Sequence, residues 1–165
     1  MENGKDYLQR TLVLLKPDAV QRGVCGEIIH RFERAGLNIV GLKMLNVSEE
    51  LARKHYSAHI GKSFYKGLEK FITESPLIAI VLEGVEVITT VRKLVGSTDP
   101  SQAMPGTIRG DFAHHTNESR DAKGLATANL IHASGNEKEA KQEIALWFSE
   151  NELMNYSKID DKYTF

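Results

Sequence analysis

The sequence predicts an α+β fold built on one sheet. Three observations carry that prediction. Short apolar runs at 11–15 and 77–82 fit buried strands, apolar residues at helical spacing fill the stretches between strands, and the elements follow the order strand, helix, strand, helices, strand, helix, strand, helix. A sheet with helices packed on one face satisfies that order.

Thr11, Leu12, Val13, Leu14 and Leu15 form the first strand, which Lys16-Pro17-Asp18 ends in a turn with Lys16 at its mouth. After Gly23 and Gly26, the residues Ile28, Ile29, Phe32 and Ala35 make a helix that Gly36 stops. Residues 37–47 read as a long strand. Ser48 followed by Glu49 and Glu50 is an N-cap with acids in the first turn, opening a helix that carries Leu51, His55 and Tyr56. Phe64, Leu68, Phe71 and Ile72 continue a second helical pattern, and Ser75-Pro76 breaks it before the central strand at 77–82. Val87, Ile88, Val91, Leu94 and Val95 form an amphipathic helix ended by Gly96. Residues 96–127 show no sustained apolar period, and so long an irregular stretch in a small protein points to function. Residues 128–131 read as the last strand, with His132 just beyond it; Ala140, Ile144, Trp147 and Phe148 then place a final helix on the core.

A chain of 165 residues, 41% of them apolar, is sized for a single domain over 1–165. Its formal net charge is -1, with 21 Lys and Arg scattered among 22 Asp and Glu, so no basic block predicts nucleic-acid binding. No apolar run spans a bilayer, and Met1 to Asp6 lack the apolar core of a signal peptide, so a soluble, cytoplasmic protein is expected with no membrane partner. Cys25 stands alone, which excludes an intrachain disulfide or a cysteine metal cluster.

Three segments carry residues suited to phosphate chemistry. In Asn129-Leu130-Ile131-His132-Ala133-Ser134, His132 can act as a nucleophile if one ring nitrogen keeps a free lone pair. Glu143 is a candidate to hold the proton of the other nitrogen, with Ser134 fixing the carboxylate; a histidine at a strand end is equally an ordinary hydrogen-bonded side chain. In Pro105-Gly106-Thr107-Ile108-Arg109-Gly110-Asp111-Phe112, backbone N–H groups, the Thr107 hydroxyl and the Arg109 fork suit phosphate oxygens. Arg92 and Thr98 can face the same space. Lys16, emerging from a buried strand, is placed to neutralise charge on a transferring phosphoryl group, or merely to end the strand in solvent. Phe64 reads as core from its spacing, or as a stacking surface from its place at a helix start. Tyr56 and His59 lie one turn apart.

No G-x-x-x-x-G-K-[ST] loop, no G-x-G-x-x-G after a strand and no paired-histidine zinc spacing occurs. His114-His115 reads as part of a solvated loop.

Taken together, TLVLLKPDAVQRG at 11–23, PGTIRGDF at 105–112 and NLIHAS at 129–134 resemble the signatures of the nucleoside diphosphate kinase family, and the likeness runs from 11 to 148. The resemblance implies a ferredoxin-like βαββαβ sandwich with a four-stranded antiparallel sheet covered by helices, over a core of 10–148 and a C-terminal tail of 149–165. It implies a ping-pong transfer of the γ-phosphate of a nucleoside triphosphate, mainly ATP, to a nucleoside diphosphate through phospho-His132, maintaining NTP and dNTP pools. By position, Lys16 and Asn129 would contact sugar hydroxyl and phosphates, Arg92, Thr98 and Arg109 would hold phosphates, and Phe64 would stack on the base. Tyr56 and His59 would lie near the phosphates, and Glu143 with Ser134 would orient His132. Mg²⁺ would arrive bridged between nucleotide phosphates with no direct protein ligand, and the protein would be a homo-oligomer, hexamer or tetramer. The rival expectation is a non-catalytic nucleotide-binding regulatory protein of the same fold.

Two features depart from the family pattern. The loop at 114–127 is longer, which adds only slowly to closure cost, and its expected place is a subunit contact or the site entrance. Ala133 and Gly135 stand where the family more often has glycine and an acid.

Overall fold

The computed structural model describes residues 7–164; the signal-peptide reading of Met1 to Asp6 falls outside them. Four strands, β1 (Leu8–Leu15), β2 (Asn38–Leu45), β3 (Leu77–Val85) and β4 (Ile131–Ala133), form one sheet in the order β2-β3-β1-β4, with every neighbouring pair antiparallel. β1 pairs with β3 over its full length, from Leu8 opposite Val85 to Leu15 opposite Ile78. They occupy the centre because their apolar residues run consecutively, giving each strand two faces to bury.

Both faces are in fact covered, where the order of elements suggested one. Val13, Leu15, Ile80 and Leu82 pack against Ile28 and Phe32 of α2 (Cys25–Arg34) and against Val87, Val91 and Val95 of α5 (Val87–Val95). Leu12, Leu14, Ala79 and Val81 point the other way, since side chains alternate along a strand. They meet Ala52 of α3 (Glu49–His55), Ile72 of α4 (Tyr65–Thr73) and Trp147 of α8 (Glu137–Trp147). Ser48 caps α3 as expected, accepting from Leu51 N–H at 3.1 Å.

Other differences from the sequence expectation are local. Lys16-Pro17-Asp18 opens a short helix, α1 (Pro17–Gln21), with proline at the position where a missing N–H costs nothing. The irregular stretch 96–127 holds two more, α6 (Ile108–Phe112) and α7 (Asn117–Asp121), each too short to show an apolar period. Thr107 and Thr116 cap them through their hydroxyls. β4 begins three residues later than the apolar residues suggested, so that His132 sits inside it opposite Leu14. The reason is Leu130, whose backbone is left-handed with φ 71 and whose N–H is taken by the Asp18 carboxylate, so the ladder starts only after it. His115 is less solvated than its loop suggested, with Nε2 shut off from water. The tail returns along β2, where Met154 N–H donates to Val40 O at 2.7 Å, and ends in α9 (Asp161–Thr164).

Candidate active site

A cleft of about 400 Å³ opens beside the ends of β1 and β4. Lys16, Tyr56, His59, Phe64, Arg92, Thr98, Arg109, Asn129 and His132, nine residues singled out in the sequence, all line it. Glu143 and Ser134 stand behind His132 and act on its far side.

His132 is presented by β4 with its Nε2 3.0 Å from both carboxylate oxygens of Glu143. Eleven residues separate the pair in sequence; the turn between β4 and α8 folds the helix back over the strand. Ser134 is fully buried, and its hydroxyl donates to Glu143 Oε2 at 2.6 Å while accepting from Leu12 N–H at 3.3 Å. Burial alone would raise the Glu143 carboxyl, but the bonds from His132 and Ser134 outweigh it and hold the group below its usual value. A carboxylate so held keeps the proton on Nε2 and leaves the lone pair on Nδ1, which makes no hydrogen bond among the described residues.

His55 was not singled out as a site residue, yet it backs the nucleophile candidate. Its ring meets that of His132 edge-on at 4.6 Å, and its Nδ1 accepts from the Trp147 indole N–H at 3.2 Å. Burial, with the neighbouring His132, lowers its pKa to about 3, so it is neutral across the physiological range. Only its adjacency to Tyr56 hinted at this place. Tyr56 is buried, which with Glu143 raises its phenol well above the usual value, so it stays an O–H. His59 is held below its ordinary pKa by burial, Lys62 and His132, and its ring lies 5.6 Å from Phe64.

The cationic end is built from buried side chains. Lys16 Nζ donates to Asn129 Oδ1 at 2.7 Å, and Asn129 Nδ2 donates to Thr98 O at 2.7 Å, so one amide fixes both a cation and a loop. Desolvation, helped by Arg109 and opposed by Asp18, lowers Lys16 to about 8. Arg109 is buried under three carbonyls, donating to Asn129 O at 3.3 Å, Gly96 O at 3.0 Å and Ile131 O at 2.6 Å. Its five N–H groups leave two for a ligand. The tight approach depends on Gly110, where a Cβ would stand 2.1 Å from Met104 O, and on Gly96, whose φ of 86 suits glycine and whose Cβ would meet Thr107 Oγ1 at 2.5 Å. Arg92 and Thr98 are exposed at the rim. The Thr107 hydroxyl, expected at a phosphate, is instead spent on the α6 cap and on Met104 O. Phe64 lies at the cap of α4 with 38% of its surface exposed, not in the core that its spacing suggested.

Among the described residues, the one group of side chains close enough to share a metal ion is His55, His132 and Glu143, with donor atoms within 4.8 Å of one another. Among the described residues, no helix is long and apolar enough to cross a membrane.

Comparison with known proteins agrees with this geometry. The family model described as nucleoside diphosphate kinase matches residues 9–153. The nucleoside diphosphate kinase of Borreliella burgdorferi is 48% identical over 93% of this chain and 95% of its own, and that of Pyrococcus abyssi 48% identical over 97% and 94%. Among solved structures, a transition-state mimic of the Borrelia burgdorferi enzyme with bound vanadate and ADP superposes with a TM-score of 0.93 at 46% identity, covering 97% of this chain and 98% of that one. A Halobacterium salinarum nucleoside diphosphate kinase in complex with CDP gives 0.86 at 42% identity, covering 95% and 98%. On sequence and structure alike, the chain belongs to the nucleoside diphosphate kinase family.

Proposed function

We propose that the cleft transfers the terminal phosphate of a nucleoside triphosphate, mainly ATP, to a nucleoside diphosphate, with His132 as the covalent carrier. The observation that carries this reading is the pairing of His132 Nε2 with Glu143, which leaves Nδ1 unprotonated. In the first half-reaction the Nδ1 lone pair forms a P–N bond to the γ-phosphorus. The P–O bond to the β-phosphate breaks, and the diphosphate leaves with that electron pair. The ring is then formally cationic, with its Nε2–H still donating to Glu143, whose charge offsets it. In the second, a terminal oxygen of the incoming diphosphate attacks the same phosphorus and the P–N bond returns its electrons to Nδ1.

Charge stabilisation falls to Lys16 and Arg109, which are rigid and nearly dry and therefore aimed before the substrate arrives. Arg92 and Thr98 reach the phosphates from the rim. Asn129 steers Lys16 and joins it at the sugar hydroxyl, while Tyr56 and His59 border the transferring group. Phe64 stacks on the base, and an aromatic face accepts any base, so affinity comes without a strict code.

Mg²⁺ is the ion that fits. It demands oxygen ligands and retains waters, whereas the site's own donor group has two imidazoles and lies beside cations. Mg²⁺ would therefore come with the nucleotide rather than be held by His55, His132 and Glu143, and when bound it would neutralise phosphate charge.

The chain works as one domain, a cytoplasmic homo-oligomer of six or four copies, a size that light scattering during gel filtration would measure. For the chemistry, protein incubated with γ-labelled ATP and Mg²⁺ should acquire an acid-labile, alkali-stable label that GDP removes. The label should be missing in His132→Ala. A folded wild-type protein that takes no label would defeat the reading.

A further inference from the structure

The cleft has a wall that phosphoryl transfer does not use. Asn117, Asp121, Ala126 and Thr127, from α7 and the residues after it, line it together with Phe64. Asp121 and Phe64 also share a small adjoining cavity of about 80 Å³ with Gly67, Gly124 and Leu125. Asp121 therefore borders the aromatic end of the cleft, where the base lies if the phosphotransfer reading above is right.

This wall is built rather than loose. Asn117 N–H donates to Asp99 Oδ2 at 3.2 Å, the Thr127 hydroxyl donates to Asn117 Oδ1 at 3.1 Å, and Arg120 Nε donates to Ala126 O at 2.9 Å. Gly67 lets α4 press against it, since a Cβ there would stand 3.3 Å from Gly124 O. Within it two side chains keep unspent capacity. The Asp121 carboxylate, an acceptor only, is exposed and makes no side-chain hydrogen bond or ion pair among the described residues. Asn117 has committed its oxygen to Thr127, so its Nδ2 hydrogens remain as donors. Four residues apart on a helix, the two project on the same side.

We propose that α7 reads the edge of the stacked base and favours guanine. Guanine offers two adjacent donors, N1–H and the exocyclic amine, to the Asp121 carboxylate, and its O6 accepts from Asn117 Nδ2. Adenine turns an N1 lone pair toward the carboxylate and an amine toward the Asn117 donor, so both contacts become repulsive. Pyrimidines stacked on Phe64 fall short of the wall. The preference is a bias laid over the base-tolerant stacking.

Calorimetric titration of GDP, IDP and ADP into the unphosphorylated protein tests this, alongside discharge of the phosphoenzyme by the same three. One hydrogen bond to a charged group corresponds to roughly tenfold in affinity. GDP should bind about tenfold tighter than ADP, with IDP, which lacks the amine, in between. In Asp121→Asn, an exposed isosteric change, GDP should weaken toward ADP while ADP holds or improves. Equal affinities in the wild type, or a GDP preference that survives Asp121→Asn, would overturn the proposal. If no phosphoenzyme forms yet the GDP preference depends on Asp121, base reading stands and phosphotransfer falls. If the phosphoenzyme forms and discharges with a preference indifferent to Asp121, phosphotransfer stands and base reading falls.

Discussion

Trp147 and His132 are joined through a single ring: the indole N–H donates to His55 Nδ1 at 3.2 Å, and His55 meets His132 edge-on at 4.6 Å. Trp147 is the chain's one tryptophan. A charge placed on His132 is therefore felt two rings away by the residue that dominates the protein's emission. Adding ATP and Mg²⁺ should change Trp147 fluorescence, and adding a nucleoside diphosphate should restore it. In His132→Ala the emission should stay constant, which stopped-flow mixing would check.

Removing the indole donor has a structural cost as well. Trp147→Phe keeps most of the packing but leaves a buried imidazole nitrogen without its bond, a loss of about 1–3 kcal/mol. Urea unfolding should show the extrapolated stability fall by that amount and the midpoint fall by it divided by the slope, with the slope unchanged.

The tautomer argument makes a sharper prediction at Glu143. In Glu143→Gln the Ser134 hydroxyl still donates to the side-chain oxygen, which turns the amide NH₂ toward His132 Nε2 and drives the ring proton onto Nδ1, the attacking atom. By analogy with carboxylate-to-amide changes that reverse a histidine tautomer, phosphoenzyme formation should slow on the order of 10² or more. Glu143→Ala, which imposes no tautomer, should be the milder change. Single-turnover rates of the two variants, with Ser134→Ala expected about tenfold slow from loss of one charge-assisted bond, would decide it.

Lys16 supplies a pH dependence. Burial places its folded pKa near 8, below the ordinary 10.5, so it is charged at neutral pH and loses its proton as pH rises through 8. Nucleotide binding to the free protein should weaken over that range, and a Lys16→Met variant, already weak, should lack the inflection. Stability moves oppositely. Between the folded and unfolded values the unfolded chain binds more protons, so this group's contribution rises with pH from about 8 to 10.5. Binding and thermal unfolding profiles measured in the same buffers would show opposite slopes.

Arg109→Lys tests whether the guanidinium is architecture as well as ligand. A lysine cannot serve three carbonyls from one fork, so Asn129 O, Gly96 O and Ile131 O would be left short. A stability loss of roughly 2–3 kcal/mol should accompany weaker nucleotide affinity. Restored affinity with full stability would sink this view.

Local patterns settled the sheet's strands and the longer helices, while α1, α6 and α7 are too short to show a period. Consecutive apolar residues marked β1 and β3 as central strands, helical spacing marked α2, α4 and α5, Ser48 marked the start of α3, and Gly36 and Gly96 marked the ends of α2 and α5, because caps and periodicity act over a few neighbouring residues. The three joint motifs contain Lys16, Arg109, Asn129 and His132, and the family resemblance they carry pointed to Tyr56, His59, Phe64, Arg92 and Thr98, which line the same cleft. Contacts between distant residues were not legible. Covering both sheet faces follows from which helix packs where. The late start of β4 follows from Asp18, more than a hundred residues upstream, capturing Leu130 N–H. Phe64 is exposed because α4 starts at its position, and the Thr107 hydroxyl is withdrawn because α6 needs it as a cap. His55 and the α7 wall acquire roles only once α8 and α4 close on them. The sequence by itself determined the chemistry that could be assembled; the tertiary structure decided which side chains were free to perform it, since burial and long-range hydrogen bonds decide whether a proton, a lone pair or a charge is still available.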